Sequence, residues 1–428
     1  MVLIYSIHST PRLAYACSFI FKEHLQQEFA ITNDVSAFCQ YDGAKINYSA
    51  QRIADEFWIE STSLLFEKGI HPQPIQCFET NGHKAFFKKE NSDFAFDIFA
   101  ATFYLLSRYE EYLPHEKDIY GRYSHENSIA FKESFLNIPL INTWAINFAE
   151  AIKTRYRIFN FQFSIFNFLP TYDIDIAYAY KHKGLARNIG GYLKSPSVER
   201  MKVVLGVQKD PFDAYEWMDN FHQQHSLSPL YFFLAAQKNA VYDKNILPDN
   251  FAFLRLVKHH AAKYEIGIHP SWQSGDNFLL LKQEKKILEH IADKHITKSR
   301  QHYIRFHLPS SYRRLLEAGI TDDYSMGYGS INGFRASVAS SFYWYDLEKD
   351  EQTHLRVHPF CYMDANSYYE QKFSAVEAFE EMLHYLKACK EVNGQLITIW
   401  HNNFLGTAKM YAGWRECYEQ FILQALRQ

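Results

Sequence analysis

The chain has 428 residues, 47% of them hydrophobic and 17% aromatic, with a formal net charge of -3 at pH 7. Such a length suits two domains better than one, and a nearly balanced charge supplies no basic field for nucleic acid. The 36 Phe and 30 Tyr predict bulky core packing first and stacking surfaces for a ligand second.

The N-terminus, MVLIYSIHSTPRLAYACSFIF, opens on an apolar run, but no basic residues lead it and His8, Pro11 and Arg12 break it early. It reads as a strand, a turn and a helix rather than a secretory signal. No uninterrupted apolar stretch reaches the roughly 18 residues that a membrane-spanning helix requires. The six cysteines, from Cys17 to Cys417, are scattered and form no zinc or redox spacing, as expected of reduced thiols in a cytoplasmic protein.

Up to residue 160 the pattern is mixed. KINYSA, PIQCF and KAFFKK are short apolar runs separated by turns. DFAFDIFAATFYLLSRYEEYL predicts a long helix that starts at acidic residues and stops at Pro114, and LINTWAINFAEAIKTRY a second helix after Pro139. The alternating, aromatic FNFQFSIFNFLP then predicts the first strand of a new unit. This places a mixed α+β domain at 1–160 and an α/β domain at 161–428.

In the second unit, strands and amphipathic helices alternate. PLYFFLA, EIGIHPS, HYIRFH, FYWYDL, LRVHPF and QLITIWHN read as strands. NFAFLRLVKHHAAKY, NFLLLKQEKKILEHIADKH, PSSYRRLLEAG and SAVEAFEEMLHYLKACKEV read as helices. That order predicts parallel strands with helical crossovers, in a barrel or a wound sheet, with ligands at the carboxyl ends of the strands.

Within NFLPTYDIDIAYAYKHKG, Asp173 and Asp175 stand one residue apart. An extended chain sends both to one face, and adjacent carboxylates are tolerated when a cation holds one or when they differ in protonation task. Three later segments also end in polar groups: His269 and Ser271; Arg300, His302, Arg305 and His307; His401 and Asn402. A lone histidine after an apolar run is more often structural. Gathered at one end of a parallel sheet, these groups supply what metal-assisted hydrolysis needs: oxygen and nitrogen ligands, a base and an acid.

The order of the segments resembles the polysaccharide deacetylase family (NodB-type domains, carbohydrate esterase family 4). TYDID is similar to its Thr-Phe-Asp-Asp-Asp/Gly motif, LSPLYFFLA to its Ala-Thr-Phe-Phe strand, and EIGIHPSWQS to its His-Ser/Thr-x-x-His motif. SRQHY stands where the family has Arg-x-Pro, and ITIWHNN resembles its Leu-x-His motif. The resemblance covers residues 165 to 428 approximately. FDIFAATFYLLSRYEEYLPHEKDIYGRYSHENSIAFK resembles a region that precedes deacetylase-like domains in Bacteroidetes-type proteins.

The resemblance implies a distorted (β/α) barrel that removes acetyl groups from N-acetylated sugars or glycans with a divalent metal, zinc being the expected ion. It also implies Asp173 as base, Arg300 as the group that orients it, His401 as acid, and Asp175 and His269 as metal ligands. The match departs at Gln273, which stands where the family has its second metal histidine and is a poor zinc ligand. Three readings stay open: His302 or His307 supplies the missing imidazole, with His302 preferred; two protein ligands and waters suffice; or no metal is held. The alternatives in function are a metal-independent hydrolase of non-peptide amides and a carbohydrate-binding pseudoenzyme.

Trp272 is a candidate for stacking on a sugar, and Arg335 in GFRAS for contacting one, each against a purely structural role. His358 and Asp364 are further candidates to approach the site. Arg108, Tyr109, Glu110 and Glu111 form a charged, aromatic helix end suited to anchoring one domain on the other.

Overall fold

The computed structural model describes residues 1–157, 161 and 164–427. The expected domain boundary at residue 160 lies outside the described residues.

The N-terminal part carries a four-stranded parallel sheet in the order β2-β1-β3-β4, built from β1 (Val2–Tyr5), β2 (Phe29–Thr32), β3 (Lys45–Ser49) and β4 (Phe57–Glu60). A small hairpin of β5 (Phe78–Thr80) and β6 (His83–Ala85) follows. The helix expected to run to Pro114 is shorter, Ile98–Leu106. Asp97 caps it by accepting from Ala100 N–H, and Arg108 turns left-handed just after it at φ 56°. The second expected helix is present at Leu140–Tyr156.

The larger sheet contains β7 (Asn167–Ile174), β8 (Leu230–Leu234), β9 (Glu265–His269), β10 (Lys298–Ser299) and β11 (Asp322–Asp323). It continues with β12 (Phe342–Asp346), β13 (Glu351–Val357), β14 (Tyr362–Met363) and β15 (Gln395–His401). Their spatial order is β12-β13-β11-β10-β9-β8-β7-β15-β14, and every pairing but β12 with β13 is parallel. The class is therefore mixed α/β with a parallel sheet. The edge strands β12 and β14 do not pair among the described residues, so no closed barrel is formed by strand pairing.

Strands β7, β8, β9 and β15 form where the sequence carries continuous apolar, β-branched and aromatic runs, as sheets covered on both faces require. Gly267 permits the tight packing at β9, because a Cβ there would lie 2.5 Å from the Phe232 ring. Trp400 on β15 is fully buried against Tyr362, Trp414 and Tyr418. Truncation of such a tryptophan typically costs about 3–5 kcal/mol.

HYIRFH does not form the expected strand. The pairing residues are Lys298 and Ser299, and residues 302–304 form a tight turn in which Tyr303 and Ile304 both have positive φ, 59° and 54°. Two left-handed residues in succession cannot continue a ladder.

The N-terminal part packs directly on the larger sheet. Arg12 pairs with Asp350 at 2.7 Å, Tyr15 donates its hydroxyl hydrogen to Tyr343 O, and Asn142 holds Ala339 N–H. The deepest link is ionic: Arg335 clasps Glu111 with two bonds of 2.9 and 2.6 Å, while Arg108 reaches the same carboxylate at 2.8 Å.

Candidate active site and metal centre

Strand register assembles the site. β7 and β15 pair so that Asp173 stands beside His401, and β8 places Phe232 on the other side of Asp173. His269 ends β9, and Arg300 follows β10, tied to β9 by its N–H to Ile268 O at 3.1 Å. All these groups thus emerge at the carboxyl ends of neighbouring parallel strands.

Asp175 is the centre of the cluster. Its Oδ1 lies 3.0 Å from His269 Nε2, and its Oδ2 lies 3.4 Å from both His302 Nε2 and His401 Nε2. Asp175, His269 and His302 bring ligand atoms within 4.8 Å of one another. Their orientation is fixed from behind. His269 Nδ1 sits 2.6 Å from Arg300 O, which can only accept, so Nδ1 carries the hydrogen. His302 Nδ1 faces Asp243 Oδ1 at 2.9 Å and His401 Nδ1 faces Asp364 Oδ1 at 2.6 Å. Each ring therefore presents Nε2 to the centre, the arrangement in which a histidine ligates a metal.

A further observation favours a cation. Asp175 Oδ1 is buried yet makes no hydrogen bond of good geometry among the described residues, a costly state for a carboxylate oxygen unless another charge is near. The donor set of two imidazoles and one carboxylate suits zinc-type coordination with positions left open. In the absence of an ion, protons do the neutralising. Burial would lower His302, but the Asp175 and Asp243 carboxylates overrule it and push its pKa up to about 9. Burial likewise opposes the charge on His401, which Asp364 and Asp175 nevertheless hold well above the usual histidine value. Asp175 is partly buried, which would raise it, but His302 and His269 keep it well below the ordinary carboxylate range.

Asp173 is buried and set apart from this cluster. Its Oδ1 accepts from Arg300 Nη1 at 2.8 Å, and its Oδ2 lies 3.9 Å from His269 Nε2. Arg300 is itself fixed by Tyr324 O at 3.0 Å and lies 4.4 Å above the Phe232 ring.

Gln273 does not enter the centre. It donates from Nε2 to Asp243 Oδ2 at 3.2 Å, supporting the carboxylate that holds His302. His307 stays outside the ligand group and bonds Ser311 through its backbone N–H.

The centre opens into a cavity of about 600 Å³. Neither residue proposed to bind substrate lines it. Arg335 is fully buried, and its guanidinium is spent on Glu111 and Gly327 O, so it has no free donor face for a sugar. Trp272 stands one layer back: its ring stacks 4.1 Å from Tyr242, and it is Tyr242 that faces the cavity. His358 bonds Asp322 and Ser341 and lies off the cavity.

Several residues at or behind the cavity wall carried no readable signal. Asp243 and Lys244 come from an irregular polar loop after β8. Tyr120 and Arg122 come from the N-terminal part, in the IYGRYS turn. Tyr120, Tyr242 and Tyr303 pack within 5.2–6.0 Å of one another. Arg122 lies 4.7 Å over Tyr120, pairs with Asp118 at 2.6 Å, and donates to Tyr303 O at 2.9 Å. Gly329 makes room for it, since a Cβ there would lie 2.0 Å from Arg122 Nη1.

Comparison with known proteins adds the following. A model of a family of unknown function, DUF7033, matches residues 2–157. No curated protein sequence matches the chain. Among solved structures, a protein assigned as a polysaccharide deacetylase from Mycobacterium smegmatis is 13% identical, with a TM-score of 0.42 over 61% of this chain and 84% of that one. The polysaccharide deacetylase Bc1974 from Bacillus cereus is 12% identical, with a TM-score of 0.31 over 60% and 87% of the two chains. A mutant of BA3943, a CE4-family pseudoenzyme with restored enzymatic activity, is 9% identical, with a TM-score of 0.29 over 60% and 62%. The chemistry of the site rests on this chain's own side chains.

Proposed function

We propose that the chain is a metal-dependent hydrolase that removes the acetyl group from an N-acetylated sugar or glycan. The observation that carries this reading is the convergence of three Nε2 atoms on Asp175, with Asp173 held apart by Arg300. Asp175, His269 and His302 would hold a divalent ion, zinc by its preference for such ligands. The ion would polarise the amide carbonyl and acidify water.

The protein's own groups then divide the proton work. Asp173, fixed on one oxygen by Arg300, takes a proton from the attacking water. His401, oriented by Asp364, presents Nε2 from the flanking strand and gives a proton to the departing amine. The Asp364 bond keeps the imidazole turned toward the substrate through both protonation states. The tyrosine wall offers apolar faces for a sugar ring. In a cytoplasmic setting, a glycolipid headgroup, glycan precursor or small acetylated sugar fits better than a polymer.

Metal analysis of protein purified without chelators, paired with acetate release from an N-acetylated amino sugar, tests this. One bound divalent ion per chain and loss of acetate release in Asp173→Asn are expected. Protein that binds no divalent ion at micromolar concentration would sink the mechanism. The same geometry carries a second reading, a metal-independent amide hydrolase: His302 and His401 Nε2 both lie 3.4 Å from Asp175 Oδ2, where protonated rings would neutralise the carboxylate without an ion. Activity that survives complete chelation would establish it.

A further inference from the structure

After Asp175 the chain leaves the site through a short loop and forms two helices, Leu185–Lys194 and Val198–Val204, whose amphipathy is inverted. Ile189 and Leu193 stand four residues apart on the first, and Val198, Met201 and Leu205 share a face of the second, at the spacing that normally turns apolar groups inward. Here they turn outward. Leu193, Leu205 and Val207 are 75–77% exposed, and Ile189, Val198 and Met201 are exposed beside them. Soluble proteins rarely leave so many apolar side chains of one short segment uncovered without a partner for them.

The charge around the patch identifies the partner. Between residues 181 and 209 there are seven Lys and Arg against a single Glu, within a chain whose net charge is -3. Lys194, Lys202 and Lys209 are exposed next to the apolar side chains. Apolar groups flanked by lysines on a short amphipathic pair match an anionic bilayer surface, where the former enter the acyl boundary and the latter meet lipid phosphates. No helix is long and apolar enough to cross a membrane among the described residues, so this contact lies on the surface.

We propose that the 185–207 helical pair docks the protein on an anionic membrane surface. The pair is tied to the cavity rim: Arg187 Nη2 donates to the carbonyl of Lys244, which lines the cavity, at 2.9 Å. Docking therefore presents the cavity rim to the headgroup layer. It stands whatever reaction the cavity carries.

Vesicle co-sedimentation tests the proposal on the full chain. With vesicles of phosphatidylcholine containing about one third phosphatidylglycerol, the protein should pellet at low salt, and binding should weaken in about 0.5 M salt. Pure phosphatidylcholine should hold much less of it. The double variant Leu193→Glu/Leu205→Glu should reduce the bound fraction at least about tenfold. Both leucines are exposed, so the fold tolerates the change, and unaltered circular dichroism would verify this. Lys194→Glu/Lys202→Glu/Lys209→Glu should abolish the preference for phosphatidylglycerol. The proposal is overturned if the protein does not pellet with the anionic vesicles, or if it pellets equally with the leucine variant. It is also overturned if light scattering shows a dimer that the leucine variant dissolves, because a second copy is then the occupant.

Discussion

Asp243 and His302 are joined by a 2.9 Å bond from Nδ1 to carboxylate in a fully buried setting, and this one contact decides which way the imidazole points. Asp243 also accepts from Trp272 N–H at 2.9 Å and from the Gln273 side chain. The residue that occupies the expected ligand position, Gln273, thus supports His302 from behind, through Asp243.

Asp243→Asn should weaken metal binding by about 10- to 100-fold, the usual cost of removing a carboxylate behind a ligating histidine. Titration with zinc against a competing chelator measures it. Gln273→Ala should have a smaller effect in the same direction, and an unchanged affinity in both variants would remove Asp243 from this role.

Arg122 and Gly329 should act as a pair on substrate affinity. Gly329→Ala forces Arg122 off the cavity wall, since the new Cβ cannot coexist with the guanidinium where it lies. Both Gly329→Ala and Arg122→Ala should raise KM several-fold while kcat changes little, the pattern of lost uniform binding. Steady-state kinetics on an N-acetylated amino sugar would show it. A fall in kcat at constant KM would instead place Arg122 with the reacting groups.

Glu111→Ala should destabilise the protein by about 3–5 kcal/mol, because it strands the buried Arg335 guanidinium and leaves buried Arg108 with Glu110 alone. Although Glu111 is buried, Arg335 and Arg108 hold its pKa down at about 2. Its contribution is therefore complete above the usual carboxylate value and is lost as pH falls toward about 2. Urea unfolding of the variant at neutral pH gives the magnitude.

Mild acid should weaken the fold by way of buried histidines that do not line the cavity. Burial lowers His222 to about 3 and His260 to about 4. An unfolded histidine titrates near 6.5, so below that pH the unfolded state binds more protons than the folded one. The contribution of these two histidines should be complete above pH 7 and decline as pH falls from 6.5 toward 4, by about 1 kcal/mol per pH unit for each. Urea midpoints between pH 8 and pH 5, a range chosen to span about half of that window, would reveal the slope; a flat profile would contradict it.

The sequence made the central strands legible because each is a continuous apolar run, and the polar residues that end them stand out against it. Asp173, Asp175, His269 and His401 are visible for that reason. HYIRFH misled because it alternates like a strand, whereas the left-handed turn at Tyr303 and Ile304 has no marker such as glycine. Arg335 misled because a glycine-containing, aromatic stretch looks like a substrate loop, and its true partner, Glu111, is 224 residues away in the chain. Asp243 lies in a loop without periodicity, where no pattern distinguishes a supporting carboxylate from a solvated one.

Tyr120 and Arg122 reach the cavity from the N-terminal part, and this bears on how the protein can be handled in the laboratory. The α/β sheet is not a portable cassette. A truncated chain that starts after residue 161 would lack one wall of its own binding chamber and would expose Arg335 without its counter-ion. Activity screens run on such a fragment would report on a damaged vessel, and chimeras that exchange the N-terminal part should alter which molecules are accepted while leaving the reacting groups untouched.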